Sequence, residues 1–367
     1  MTEIQELLNK LKKAYGDNSV KMGNEVRPIE RIPLVDSPAF DYVSDGGVVV
    51  NRINQFIGLE QCTKTLHALL TVKEFQHTHW NSDGSFITRA FKKNIKTKEP
   101  ILSDKLKSLG VPLNTKTCVW IDAENTFNEK HAKSLGIDLS NLVVIKPSSL
   151  VEGIDVTKAF LVSPEVCLVV YDSMQGIGHE VEIEESHEKD QISINARAWN
   201  KAMRAFQGCV NRNPNNCVSL VLINSMYEKS GFVMGDPITP SNGSGVRFKS
   251  YLTMHFKRMS KPVKEKVDGL EVPIGNHINM INLKNKSGET GRSYSSLFYY
   301  SGERAGKFDI PLTIIELATD MGFIVRSGAI YTVNGVKFKG MSNLVEAMEK
   351  DEKFINELKS MIYEKLS

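Results

Sequence analysis

Residues 53–75 read INQFIGLEQCTKTLHALLTVKEF, and their reading decides the fold. A strand-like run over 53–57 leads through Gly58-Leu59-Glu60-Gln61-Cys62-Thr63-Lys64-Thr65 into a helical pattern over 66–75. Strand, loop and helix around G-x5-K-T is the layout of a phosphate-binding loop. The amides and helix N-terminus of such a loop hold phosphates, its lysine meets their charge, and its hydroxyl ligates magnesium. Thr63 stands where the second glycine of G-x-x-x-x-G-K-[ST] is expected, and every other position complies. The competing reading is a chance G-x5-K-T in a surface loop, so other residues have to decide.

Outward from this loop the chain alternates apolar strands with helical stretches. Strands at 52–57, 117–121, 142–145, 166–171 and 218–223 are followed or separated by helices at 66–75, 129–135, 151–160 and 193–209. Short unbroken apolar strands between helices predict a parallel sheet covered on both faces. The alternation fails over 76–114, which reads as an insertion. Residues 2–15 place Ile4, Leu7, Leu8 and Leu11 on one helical face, and a leash broken by Pro28, Pro33 and Pro38 follows. Residues 245–300 read as further strands with turns. A helix at 312–321, a hairpin turning at Asn334-Gly335 and a helical stretch over 343–366 predict a small C-terminal α/β domain.

At 41% hydrophobic and 24% charged, the chain has the composition of a soluble globular protein, and its apolar runs are too short to span a bilayer. The polar start MTEIQELLNK is not signal-like, so a cytoplasmic location is expected. The cysteines, Cys62, Cys118, Cys167, Cys209 and Cys217, lack C-x-x-C spacing and suggest neither zinc nor a disulfide framework. Net charge is +3, but it is segregated: 180–190 is acidic, whereas 247–266 carries Arg247, Lys249, Lys257, Arg258, Lys261, Lys264 and Lys266. Such a run binds a polyanion only if its groups converge on one surface; otherwise it is a solvated face. His77 and His79 lack a third ligand in any recognisable motif and read as a surface pair.

In a doubly wound sheet the working residues sit at the carboxyl ends of the strands. Two strands end there in acids. Residues 166–173, VCLVVYDS, bring Asp172 to the place of a metal-supporting carboxylate, and 119–124, VWIDAE, bring Glu124 to a place where it can orient and deprotonate an attacking water. With Lys64 and Thr65 on the same sheet, these acids make nucleotide hydrolysis the leading expectation.

At this point the chain resembles the bacterial RecA-type recombinases and their phage relatives. The resemblance runs nearly end to end, through TCVWIDAEN at 117–125, VYDS at 170–173, NARAWNKAMRAF at 195–206, LINSMYEKSGFVMGDPITPSNGSGVRF at 222–248 and LKNKSG at 283–288, and DSPAFDYVSDGG at 36–47 agrees as well. It implies an α/β fold with a P-loop RecA-like core and a mainly parallel twisted sheet, an N-terminal helix arm over 1–35, a core over 36–302 with the insertion at about 76–114, and a C-terminal domain over 303–367. It implies an ATP-dependent recombinase that forms filaments on single-stranded DNA and pairs it with double-stranded DNA, with ATP and Mg2+ as cofactors. Single-strand-binding and loading proteins would be its partners. Gly58, Leu59, Glu60, Gln61, Cys62, Thr63, Lys64, Thr65 and Leu66 would surround the phosphates, His131 the base, and Thr65 and Asp172 the metal. Glu124 would activate water, and Lys284 and Lys286 would reach the nucleotide of the next protomer. Arg197, Arg204, Lys229, Met234, Asn242, Gly243 and Arg247 would face DNA, with 225–245 as the second DNA loop and 176–192 as the first.

The chain departs from that family at several positions. Besides Thr63, Ser225 replaces a γ-phosphate-sensing glutamine, His131 an adenine-stacking tyrosine, and the first DNA loop carries Glu180, Glu182, Glu184, Glu185 and Glu188. The relaxed phosphate loop and the absence of an acidic tail after Ser367 lean towards a phage or plasmid paralogue. Two other functions stay open at this point: a ring-forming motor on the same core, and a non-hydrolysing DNA-binding mediator.

Overall fold

The computed structural model describes residues 3–16, 20–26, 28–81, 84–88, 115–178, 188–228, 238–240, 243–267 and 269–366. Helix α1 (Glu3–Tyr15) buries no side chain, and its Ile4 and Leu7 are more than half exposed. Strands β1 (Arg31–Ile32) and β2 (Val48–Val49) pair, and between them the sequence departs from the expected leash. Residues Pro38–Ser44 form helix α2, with Phe40 and Val43 fully buried. Pro38 starts this helix instead of breaking it, because an amide is not needed in the first turn.

The core then follows in order as β3 (Ile53–Gly58), α3 (Lys64–Gln76), a short hairpin of β4 (His79–Trp80) and β5 (Phe86–Ile87), β6 (Thr117–Asp122), α4 (Glu129–Ser134), β7 (Leu142–Ile145), α5 (Leu150–Leu161), β8 (Val166–Asp172) and α6 (Glu188–Arg212). After it come β9 (Ser219–Glu228), β10 (Ile238–Pro240), α7 (Gly243–Lys249), β11 (Leu252–Val267), β12 (Leu270–Asn285) and β13 (Ser293–Tyr299). One sheet runs in the order β7-β6-β8-β9-β3-β11-β12-β13, with β10 paired to β9. From β7 to β11 all neighbours are parallel, and β12 and β13 extend that edge antiparallel.

Why these strands read as continuous apolar runs is visible in β6. Cys118 and Trp120 pack on one face of the sheet with Phe56, Phe75 and Trp80, while Val119 and Ile121 pack on the other with Tyr171, Trp199 and Phe206. Both faces are covered, so alternation in pleat direction demands no alternation in polarity. Two segments expected as loops contain regular elements among the described residues. Segment 225–245 begins in β9 and contains β10, which pairs back as Met226 to Pro240, and α7 replaces a strand at 243–249. Of 176–192, the last residues belong to α6. Residues 179–187 and 229–237 and most of 76–114 lie outside the described residues.

Helix α8 (Ile310–Asp320), the strands β14 (Val325–Ser327), β15 (Ile330–Val333) and β16 (Val336–Lys339), and helices α9 (Met341–Lys350) and α10 (Glu352–Leu366) enclose a separate cluster around Ile314, Tyr331, Leu344 and Ile362. The single helix expected over 343–366 is two. Asp351 leaves helical geometry (φ −124°, ψ 92°), and its carboxylate accepts the amides of Lys353 at 3.0 Å and Phe354 at 3.3 Å, starting α10.

Asp41 of α2 joins this cluster to the core. It is fully buried; its Oδ1 accepts the Leu34 amide at 2.7 Å, and the Tyr363 hydroxyl of α10 donates to its Oδ2. Burial, with smaller repulsion from Glu74 and Asp36, pushes its carboxyl from 3.8 up to about 8. The fold therefore favours the protonated form, so this stabilisation is full below 3.8 and is lost as pH rises through about 8. Urea denaturation across that window should show stability falling with pH, by about 1.4 kcal/mol for each pH step of one at most. Asp41→Asn, neutral at every pH, should flatten the fall, and an unchanged slope would place its origin elsewhere.

Candidate nucleotide-binding site

The phosphate loop leaves β3 at its carboxyl end, between β9 and β11. Gly58 is required by close approach: a Cβ there would lie 2.4 Å from the Phe256 carbonyl oxygen and 2.6 Å from Cys62 Sγ. Leu59, Glu60 and Gln61 are exposed, and Cys62 and Leu66 are buried. Lys64 folds over the loop and donates to the carbonyl oxygens of Gly58 (3.0 Å) and Leu59 (2.6 Å). Its ammonium thus already sits among the groups that would surround a phosphate.

Thr63 explains what the missing glycine would have done. It adopts a left-handed conformation (φ 67°, ψ 17°) at the N-cap of α3. A β-branched residue is costly there, by about 1–2 kcal/mol. Two hydrogen bonds hold it: Thr63 Oγ1 donates to the Cys62 carbonyl at 2.6 Å, and the Thr63 carbonyl lies 2.8 Å from His67 Nδ1. His67 is fully buried against Phe256 and Phe308, and its Nε2 is 3.0 Å from Ser37 Oγ. Burial lowers its pKa to about 4, so it is a neutral imidazole whose Nδ1–H donates to Thr63 and whose Nε2 accepts from Ser37. Nothing in the sequence pattern marks His67 beyond its helical position one turn after Thr63.

The two acidic strand ends meet beside the loop. Thr65 Oγ1 donates to Asp172 Oδ2 at 3.1 Å, across 107 residues of sequence. Glu124 joins through its neighbours: the amides of Ala123 and Glu124 donate to the Asp172 carbonyl at 2.8 and 3.3 Å, and Ser173 Oγ donates to Glu124 Oε1. Asp122 plays a different part. It is buried, and its two oxygens cap the amides of Thr126 (2.9 Å) and Phe127 (3.1 Å), fixing the turn that presents Glu124. Burial first, then repulsion from Glu124 and Asp122, outweigh the Thr65 bond and Lys64 and raise the Asp172 carboxyl to about 7. A hydroxyl and a carboxylate oxygen crowded by further carboxylates form a hard donor set suited to Mg2+, an ion that takes few protein ligands and fills its octahedron with water and phosphate. Among the described residues no group of three or more His, Cys, Asp or Glu is arranged to hold a metal by itself.

His131 is the third residue of α4, partly exposed, with its amide capped by Asn128 and its ring near Gly306. The structure does not bring Lys284 and Lys286 to the loop of their own chain. Lys284 is in register with Thr253, and Thr253 with Gln55, so the pair lies two strands away and towards the amino end of β3. Lys284 caps α7, donating to the carbonyls of Arg247 (2.6 Å) and Phe248 (2.8 Å). Partial burial, with Lys286 and Arg247 close by, lowers its pKa to about 8. Asn285 between them turns inward to Asp45 (2.6 Å) and Arg31 (2.9 Å), so the two lysines stay out of the network that anchors the turn.

Arg197 and Arg204 are exposed on α6, opposite the buried Trp199, Met203 and Phe206. Lys201, one helical turn from Arg197 and not singled out from sequence, completes their stripe and is also exposed. Arg247 is exposed on α7, which packs on α6 through Val246 and Trp199. Gly243 opens α7; Lys229, Met234 and Asn242 lie outside the described residues. The basic run 257–266 stays exposed on the β11–β12 hairpin, where Lys264 pairs with Glu271.

The family model for the RecA N-terminal domain matches residues 109–302, more than half of the chain. The chain belongs to this family. Relatives align over its whole length, including the phosphate loop that precedes the matched span. Protein RecA of Chloroherpeton thalassium is 23% identical over 371 residues, covering 100% of this chain and 90% of its own. Protein RecA of Bacteroides thetaiotaomicron is 25% identical over 369 residues, with 99% and 97% covered. Protein RecA of Acinetobacter baylyi is 24% identical over 368 residues, with 99% and 91% covered.

The strain at Thr63 is open to direct measurement. Thr63→Gly should raise stability to denaturant by about 1 kcal/mol, the relief of the left-handed threonine less the added flexibility of glycine. A loss of stability would mean that the Thr63 hydroxyl bond outweighs the strain.

Proposed function

We propose that this chain is an ATP-dependent DNA recombinase that polymerises on single-stranded DNA and catalyses homologous pairing and strand exchange. The observation that carries the reading is the Thr65–Asp172 contact beside Lys64 and Glu124, in a chain aligned along its length with proteins named RecA. Thr65 and Asp172 would hold magnesium, which when bound neutralises charge on the nucleotide phosphates. Lys64 then turns from the loop carbonyls to the phosphate oxygens. Glu124 orients the attacking water and takes its proton, held in place by Ser173. Lys284 and Lys286 act on the nucleotide of the adjacent protomer, and a phosphate restores the full charge that burial and neighbouring cations depress on Lys284.

The arm over 1–35 docks its exposed Ile4 and Leu7 on a neighbouring protomer, the core spans 36–302, and 303–367 forms the C-terminal domain. Arg197, Lys201, Arg204 and Arg247 grip DNA phosphates, a sequence-independent mode suited to any single strand. Location in the cytoplasm accords with DNA as substrate; no helix among the described residues is long and apolar enough to cross a membrane.

ATP hydrolysis measured with and without single-stranded DNA tests the reading. Lys64→Ala should abolish the DNA-stimulated rate, and retained turnover would falsify the phosphate-loop assignment. Glu124→Gln should assemble filaments yet hydrolyse ATP at least about a hundredfold more slowly, the usual worth of a general base. Removing residues 1–30 should prevent filament growth on DNA; undiminished filaments in electron micrographs would sink the docking role of the arm.

A further inference from the structure

We propose that Gln175 is the positioning residue that couples the nucleotide site to the DNA-facing strand β9; the inference rests on the ATPase reading above. Immediately after β8 the chain makes a turn over residues 173–176 that touches three working parts of the molecule. Ser173 Oγ donates to Glu124 Oε1. The Met174 carbonyl accepts from Trp199 Nε1 at 3.1 Å, tying the turn to the helix that carries Arg197, Lys201 and Arg204. Gly176 lies so close to the Ala123–Glu124 backbone that a Cβ would meet the Ala123 carbonyl carbon at 2.6 Å and Glu124 Cγ at 2.8 Å.

Gln175 carries this turn across to β9. Its Nε2 donates to Asn224 Oδ1, and its Oε1 accepts the Ser225 amide at 2.9 Å. Ser225 is opposite Gly58 across the β3–β9 ladder, at the mouth of the phosphate loop. The next three residues of β9 pair with β10 and form the base of segment 225–245. One exposed side chain therefore bridges the turn that holds the hydrolytic carboxylate and the strand that enters the DNA segment.

The coupling follows from the geometry. Glu124 cannot swing towards an attacking water without changing the bond that Ser173 makes to it. Gly176 packs directly on residues 123–124, so a shift of that backbone reaches the turn. Gln175, bonded at both ends of its amide, passes that displacement to Asn224 and Ser225. The serine at 225 has too short a side chain to cross the gap itself, and the longer glutamine in the turn after β8 bridges it from the other side. Gln175 touches neither nucleotide nor DNA in this scheme.

Coupling between two ligands is reciprocal, so it can be read from binding alone. The affinity of the full-length protein for a fluorescent single-stranded oligonucleotide is measured with and without a slowly hydrolysed ATP analogue and Mg2+. Gln175→Leu keeps the volume and removes both hydrogen bonds. The nucleotide-induced gain in DNA affinity should shrink by about tenfold in this variant, while affinity without nucleotide remains that of the wild type and the thermal midpoint falls only modestly. DNA stimulation of ATP hydrolysis should fall in parallel. A merely structural role would weaken DNA binding equally in both nucleotide states and would overturn the proposal, as would an undiminished gain in Gln175→Leu. Absence of any nucleotide-induced gain in the wild type would instead defeat the ATPase reading, and this inference with it.

Discussion

The structure depends on one constraint: β3 is buried on both faces and flanked on both sides by parallel strands. Every residue of Ile53–Gly58 is buried, so the backbone can emerge only at the carboxyl end, and the phosphate loop has one place to form. The same constraint decides what surrounds it. Parallel pairing sets Phe256 of β11 and Ser225 of β9 level with Gly58. The β6–β8 register sets Asp122 level with Asp172, so the turn after β6 carries Glu124 over the end of β8. The loop at 58–65, Asp172 and Glu124 share one edge because β3, β9, β8 and β6 run parallel side by side in one sheet.

Within that frame Thr63 is a local cost with a local support. The left-handed conformation belongs to the loop's path, whatever residue occupies it, and glycine would adopt it freely. Here it is held by bonds to the Cys62 carbonyl and to a histidine kept neutral by burial. His67 reaches in the other direction to Ser37, at the N-cap of α2, so the support of the loop comes from the segment that also carries Asp41. An element read as a leash thus braces the phosphate loop on one side and the C-terminal cluster on the other.

What could be read in the sequence follows from the range of the forces involved. The strands β6 and β8 were legible because two-sided burial leaves a continuous apolar signature. Lys64, Thr65, Glu124 and Asp172 were legible because each lies at the start of a helix, at the end of a strand or in the turn just after one. Helix α2 was not, since three prolines in 28–38 resemble breakers until Pro38 is seen at a first turn. The break at Asp351 was hidden by helical periodicity on both sides of it. The parts played by Asp122, His67 and Gln175 were illegible for a deeper reason: each depends on a partner set by the tertiary fold, and Asn224 lies 49 residues from Gln175.

The placement of the two lysines carries the last step. Strand spacing of about 4.8 Å and a rise of about 3.3 Å per residue put Lys284, two strands from β3 and level with Gln55, on the order of 15 Å from the loop beyond Gly58. Lys286 lies farther still, because β12 runs antiparallel and descends towards the amino end. A lysine side chain spans less than half that distance. If these cations serve a phosphoryl group, it is one bound by another copy of the chain, so assembly and hydrolysis are linked by geometry alone. The inward-turned Asn285, fixed by Asp45 and Arg31, anchors the turn to its own protomer, and Lys286 beside it is exposed.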